Sequence, residues 1–361
     1  MLAVAALALS SSRGGEPAPP ASPSPTPVAP VADAPLQTFT PAETDPPSLP
    51  VTGPAATGLR GRVVVVEAGR PSVLDLASGK RTALGEVASP VRHAVTVGSS
   101  VVLSGAEGDT GDFPPLPGSV WVVGPDLRVR RLPDAGTVTP DAAGTGVWLT
   151  TWLPDGSGGT MRRVMLDGRV TDERFELPGP FTVVGATGGG IVLTGLVDDA
   201  VEVWDPARDR LVHREPGMGY AASAPSRLLW WFDHCVKPCL IFRRDMPNAF
   251  DDESFEGRGT VLVPPEPRLA ELSPDGRRVV TQSVGQRVAV AVCDIDPERC
   301  QELRNLRITE FAETAWSVDG ETLLIALPAG VGQLAAWRPW WGEARPVPGE
   351  FRAESIAALG T

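Results

Sequence analysis

The chain has 361 residues, 42% of them hydrophobic, and a formal net charge of −12 at pH 7. That length and apolar content suffice for one large repeat domain or two ordinary domains with a sizeable core. The acidic balance, −3 of which lies in residues 1–58, repels nucleic-acid phosphates and anionic lipid, so neither is expected as a partner.

The start, MLAVAALALS (Met1 to Ser10), is apolar, too short to span a bilayer and without a basic n-region. It leads into PAPPASPSPTPVAPVADAP and related Pro/Ala/Ser/Thr-rich sequence that cannot pack a core. The expected organisation is a partial signal or membrane-anchor segment over 1–12, a disordered Pro-rich stalk over 13–56, and a folded domain over 57–361. Such a stalk behind an apolar start fits an exported or membrane-tethered protein, touching the membrane only through its N-terminal segment.

From Gly61 to Pro348 a strand-turn-strand unit recurs about seven times. The third strand of each unit and the turn behind it are the easiest to see. Their markers, Asp75, Gly124, Asp167, Asp205, Arg243, Asp294 and Arg338, lie 38 to 51 residues apart, the length of a four-stranded blade. Apolar runs precede them as second strands: RVVVVEAG, SSVVLSG, GVWLTTW, GGGIVLTG, RLLWWFD, RRVVTQSV and ETLLIAL. These lack polar alternation, as expected where blades stack and bury both faces. The predicted fold is therefore all-β, a seven-bladed β-propeller of four-stranded blades.

The first unit opens at its second strand, and ESIAALGT (Glu354 to Thr361) has the pattern of an isolated first strand. The C-terminal strand is expected to complete blade one, closing the ring and covering an edge. Asp275-Gly276 and Asp319-Gly320 are dipeptides of the primed turns that close tight hairpins, here between first and second strands. The stretches that contain them, LSPDGRRVV and WSVDGETLLIA, resemble the WD-repeat-like units of TolB-type propellers. What the resemblance implies is an extracytoplasmic propeller used in protein interaction.

Of the four cysteines, Cys235 and Cys239 flank VKP, and Cys293 and Cys300 flank DIDPER. Each pair is local enough to close a small loop, and local disulfides fit an oxidising compartment. A four-thiolate zinc site is the rival reading, but neither spacing is the usual one for that metal.

No catalytic motif stands out: there is no G-x-S-x-G, S-x-x-K, H-E-x-x-H or Walker A sequence. The chemistry-bearing residues collect instead in turns between second and third strands, which in a propeller emerge on one face. These are Asp109, Asp112 and Phe113 in unit two, Trp152 and Asp155 in unit three, Asp198 and Asp199 in unit four, and Asp233 and His234 in unit five. Clustered carboxylates there would attract a cation or a basic partner patch, although turns are also rich in Asp for backbone reasons alone. The pair Trp340-Trp341, in a turn RPWWGEA, suits a protein or carbohydrate contact. Trp121, Trp204 and Trp337 fall at matching third-strand positions and are expected to pack between blades. Unit five carries an insertion, Arg243 to Gly259, with Phe250 and Phe255 among acidic residues.

The reading at this level is a monomeric, non-enzymatic scaffold of the cell envelope whose partner is another protein, with no cofactor and no metal. A small-ligand or metal-binding propeller, or a glycan-cleaving enzyme built from axial carboxylates, are the alternatives.

Overall fold

A computed structural model describes residues 48–361 apart from 88–89, 106–115, 156, 178–180, 196–199, 207, 217, 225–226, 233–238, 246–257, 264–266, 284–286, 296–298 and 329. The leader, the stalk up to residue 47, the body of the unit-five insertion and Cys235 therefore lie outside the described residues.

The propeller domain is built of seven four-stranded antiparallel sheets. Within each sheet the strands run a to d from the axis outward. The seven inner strands are Ser355–Leu359, His93–Val97, Thr137–Pro140, Phe181–Thr187, Met218–Ala224, Pro267–Leu272 and Glu313–Trp316, for blades one to seven. Each touches its two neighbours in that cyclic order, and the last touches the first, so the ring is closed. Blade one is made from both ends of the domain. Its inner strand Ser355–Leu359 pairs antiparallel with Arg62–Glu67, with Val64 opposite Ala357 and Val66 opposite Ser355. The predicted closure is thus observed, and it removes the free edge that Arg62–Glu67 would otherwise present.

Every apolar run read as a second strand forms strand b of its blade, and the predicted third strands form strand c. Val63 to Val66 and Leu323 to Ala326 are buried at every position, because a strand between stacked blades has no solvent face. Outer strands show the opposite pattern, with Arg81–Ala83 exposed throughout. An apolar cluster fills each interface between successive blades. Trp121 packs with Val64, Val66 and Leu103 between blades one and two. Trp204 packs with Trp148, Met161 and Leu193 between blades three and four. Trp337 lies edge-on to Trp316, their ring centroids 6.4 Å apart, between blades six and seven. The three third-strand tryptophans occupy the expected inter-blade positions.

Two local expectations need correcting. Asp275-Gly276 and Asp319-Gly320 do not form two-residue primed turns. In both, the serine two residues before the aspartate opens a four-residue turn: its carbonyl accepts from the glycine amide, Gly276 to Ser273 at 2.8 Å and Gly320 to Ser317 at 2.7 Å. Only the glycines have positive φ, 67° and 71°, whereas a type I′ turn needs it at both central residues. The serine hydroxyl bonds the aspartate and accepts from the backbone where strand b begins, at Arg278 and Thr322. These side-chain bonds satisfy the turn and fix it as an open four-residue form.

The boundary between stalk and domain also moves. Among the described residues, contacts with the domain are already present at Ser48, ahead of the expected boundary at residue 57. The Leu49 amide donates to Arg307 O and the Ala56 amide to Pro346 O, both at 2.8 Å, and Val51 is buried among residues of blades six and seven. Gln333 bonds both the amide and the carbonyl of Val51. Residues 48–60 thus form a strap across the outer parts of blades six and seven on the way into blade one.

Cys293 and Cys300 face each other on strands c and d of blade six and are joined by a disulfide, S–S 2.05 Å. The expected Cys235–Cys239 pairing lies outside the described residues.

Candidate functional site

Antiparallel sheets ordered a to d place the b–c turns on one face of the ring and the a–b and c–d turns on the other. Most of the predicted acidic rim, Asp109, Asp112, Phe113, Asp198, Asp199, Asp233 and His234, lies outside the described residues. Two members are described. Asp155 is exposed in the b–c turn of blade three, and its Oδ1 accepts from the Ser157 hydroxyl at 2.7 Å and the Ser157 amide at 3.0 Å. Those bonds hold its carboxyl below the usual carboxylate range. This is backbone work of the kind turns require. Trp152, at the end of strand b, is buried in the cluster between blades three and four, and its indole N–H donates to Thr137 Oγ1 at 2.9 Å. Its side chain is part of the core between these blades.

Trp340 and Trp341 are in the c–d turn of blade seven, on the opposite face. Trp340 is 64% exposed, the most exposed of the large hydrophobic side chains described. Trp341 is half-buried against Ala56 and Leu59 of the strap and the blade seven–one core. The Arg338 guanidinium lies 5.5 Å from the Trp340 ring centroid and 5.4 Å from that of Trp341, and Arg345 lies 4.7 Å from Trp341. Arg338 is itself fixed by Thr322 Oγ1 at 2.9 Å and Gly58 O at 3.3 Å. Aromatic and guanidinium groups therefore alternate in one pre-ordered stack, with a tryptophan at its open end.

The sequence offers axial carboxylates as an alternative site without naming the residues. All seven inner strands, or the turns that follow them, line a cavity of about 520 Å³. It stays open because the axial positions are small: Ala94, Ala143, Gly185, Ala222, Ala270 and Ala315 lie along it. Gly185 is required there, since a Cβ on it would overlap Ser223 Oγ and sit 2.9 Å from Tyr220 Oη. The polar groups gather on three consecutive blades. Tyr220 and Ser223 of blade five share a hydrogen bond of 3.0 Å. On blade six, Glu271 accepts from the Thr314 hydroxyl of blade seven at 2.7 Å, and its backbone carbonyl accepts from the Trp316 indole at 3.3 Å. Glu313 of blade seven lines the same cavity and is exposed.

Glu271 is half-buried and lines the lumen. Loss of solvation pushes its pKa up to about 7, hydrogen bonds from the Thr314 hydroxyl and the Trp316 backbone amide oppose that, and the nearby Glu313 adds to it. Burial likewise pushes the Tyr220 phenol up to about 12, so it stays a neutral hydroxyl. The third lining carboxylate, Asp141, is neutralised by Arg163, whose Nη2 and Nε donate to it at 2.7 and 3.0 Å. Among the described residues, no group of three or more His, Cys, Asp or Glu side chains is arranged to hold a metal ion.

The chain matches no protein-family model and no curated protein. It is similar to solved structures at low identity. A functionally unknown protein from Desulfotomaculum acetoxidans is 14% identical over 83% of this chain and 99% of that one, TM-score 0.49. A putative 6-phosphogluconolactonase from Bacteroides fragilis is 13% identical over 85% and 100%, TM-score 0.49. TolB from Acinetobacter baumannii is 13% identical over 83% and 67%, TM-score 0.47. The assignment as a β-propeller rests on the closed ring of sheets.

Proposed function

We propose that this protein is an exported or membrane-tethered β-propeller acting as a non-enzymatic protein-interaction scaffold in the cell envelope. The Cys293–Cys300 disulfide supports the compartment, since such bonds persist where the surroundings are oxidising. The observation that carries the binding role is the Trp340–Arg338–Trp341–Arg345 stack. Tryptophan and arginine are the residues most enriched at binding hot spots. A stack already ordered by Thr322, Gly58 and the strap loses little side-chain freedom when a partner docks.

The acidic b–c rim is the competing contact face. Full-length protein is used to capture partners from envelope extract, beside a Trp340→Ala variant and a variant with Asp109, Asp112, Asp198 and Asp199 replaced by Asn. The expected outcome is a partner retained by wild type and by the Asp→Asn variant and lost with Trp340→Ala. Loss with the Asp→Asn variant alone moves the interface to the opposite face. No partner retained by any of them removes the scaffold reading.

A further inference from the structure

The turn that carries Trp340 and Trp341 is held from outside its own blade. The Gln301 side-chain amide donates to the carbonyl of Gly342, the residue after Trp341. Asn305 brackets Ala344: its Nδ2 donates to Ala344 O at 2.7 Å, and its Oδ1 accepts from the Ala344 amide at 3.2 Å. Both holding residues belong to blade six. Asn305 is anchored by its neighbours, since Leu303 and Leu306 are buried in the core between blades six and seven. Gln301 has weaker support. Its strand, Arg299–Glu302, has four residues, is largely exposed, and stands at the sheet edge against Ala289–Asp294. A short edge strand of this kind is among the first parts of a sheet to open. The covalent tie falls on the residue before Gln301, where Cys300 is bonded to Cys293 directly opposite. Cys293 is buried with Ala221, Ala224 and Leu229 of blade five. Successive residues of a strand point to opposite faces, so Gln301 reaches the other way, toward blade seven. Fixing Cys300 therefore fixes the backbone from which Gln301 holds the tryptophan turn.

We propose that the Cys293–Cys300 disulfide is a redox control on the Trp340 contact face, acting through Gln301; this rests on the reading of that face as the partner site. Cys300 is exposed, and its sulfur is the one that a dithiol reductant attacks. The S–S bond breaks, Cys293 leaves as a thiolate and takes up a proton, and Cys300 enters a mixed disulfide with the reductant. The second thiolate of the reductant then displaces Cys300, which is protonated in turn. Two electrons and two protons have passed to the protein, and the reductant has become a disulfide. The outer strand of blade six is then held by its ladder alone and opens more often. Each opening withdraws Gln301 from Gly342 and loosens the turn on which Trp340 stands. A partner must then pay in side-chain and loop ordering what the closed disulfide had supplied. The face binds well with the disulfide closed and weakly with it open.

Hydrogen exchange on the full chain, oxidised and after treatment with dithiothreitol, reads this device without any partner. A Cys293→Ser/Cys300→Ser variant separates this bond from Cys235 and Cys239. Exchange over 338–345 should rise about five-fold in both cases, the loss of about one net hydrogen bond. Exchange over 299–302 should rise as well, and that over 118–123 in blade two should not. Gln301→Ala, with the disulfide intact, should raise exchange over 338–345 and leave 299–302 as it was. Three exchange results overturn the proposal: no rise over 338–345 on opening the disulfide, a rise that extends equally to 118–123, or no effect of Gln301→Ala on the tryptophan turn. Capture from envelope extract adds a separate arm. A partner lost with Trp340→Ala should be retained less by the double-serine variant, and equal retention overturns the control while the contact face stands. If wild type retains no partner, the scaffold reading falls, and the exchange results alone decide whether the disulfide orders the turn.

Discussion

The walls between blades, built from strands a to c, and the wall around the axis, built from the inner strands and their turns, differ in how they are filled. Side chains directed between blades are large and leave no gap: Trp316 and Trp337 meet edge to edge, and Val280, Leu323 and Ile325 fill in around them. The residues that line the axis include small ones, such as Ala94, Gly185, Ala222, Ala270 and Ala315, beside larger ones such as Tyr220 and Trp316, and they leave a void of about 520 Å³. In this molecule the space between blades is closely packed, while the axis holds an open cavity.

That contrast is sharpest at ring closure. Removing Ala353 to Thr361 takes away an entire inner strand and exposes the edge of Arg62–Glu67. We expect no cooperatively folded protein, or a Tm lower by more than about 10 °C, in calorimetry. An unchanged Tm would mean that the ring holds without its seal. Next comes Trp316→Ala, which empties the largest position between blades six and seven. Urea unfolding should show a loss of about 3–5 kcal/mol, and a loss below about 1 kcal/mol would contradict the packed-wall account. Replacing Cys293 and Cys300 by serine opens a seven-residue loop on an outer hairpin. Its expected cost is about 2 kcal/mol, reproduced in wild type by a reductant.

The axial wall should answer differently, with pH rather than with a large loss. Glu271 has a folded-state pKa of about 7 against an ordinary 4.5, so its protonated form is the one the fold favours. Its contribution is fully present below about 4.5 and is lost as pH rises through about 7. Glu271→Gln keeps a neutral partner for Thr314 and should lack that loss. Melting curves of the two proteins should therefore diverge in favour of the variant as pH rises across this window. Parallel curves would place Glu271 in water rather than in a desolvated wall.

The parts of this fold that were legible in the sequence are those with local signals. Strands b and c announce themselves as unbroken apolar runs followed by turn residues, because burial on both faces removes any need for polar positions. ESIAALGT was readable as the closing strand for the same reason. The misreadings share a non-local cause. Asp-Gly by itself does not distinguish a primed turn from the observed four-residue form, which is decided by the hydroxyls of Ser273 and Ser317. Trp152 ends an apolar run next to a turn, and only its bond to Thr137 and its cluster show it to be core. The strap looks like more Pro-rich stalk, since its contacts are with residues some 260 to 280 positions away. The axial cavity draws a few residues from each of seven strands, and no window of sequence contains it.

The way blade one is assembled also sets a schedule for folding. Arg62–Glu67 emerges in synthesis long before its inner partner, Ser355–Leu359. Contacts at such separation give no reward until the intervening loop has been closed. At ordinary synthesis rates of about 5–20 residues per second, an unpaired valine-rich edge waits for roughly 15 to 60 seconds. Throughout that interval Val63 to Val66 form an open template for pairing with any other extended chain. The half-made ring is thus most prone to aggregate at the very strand that, once sealed, is among its most deeply buried.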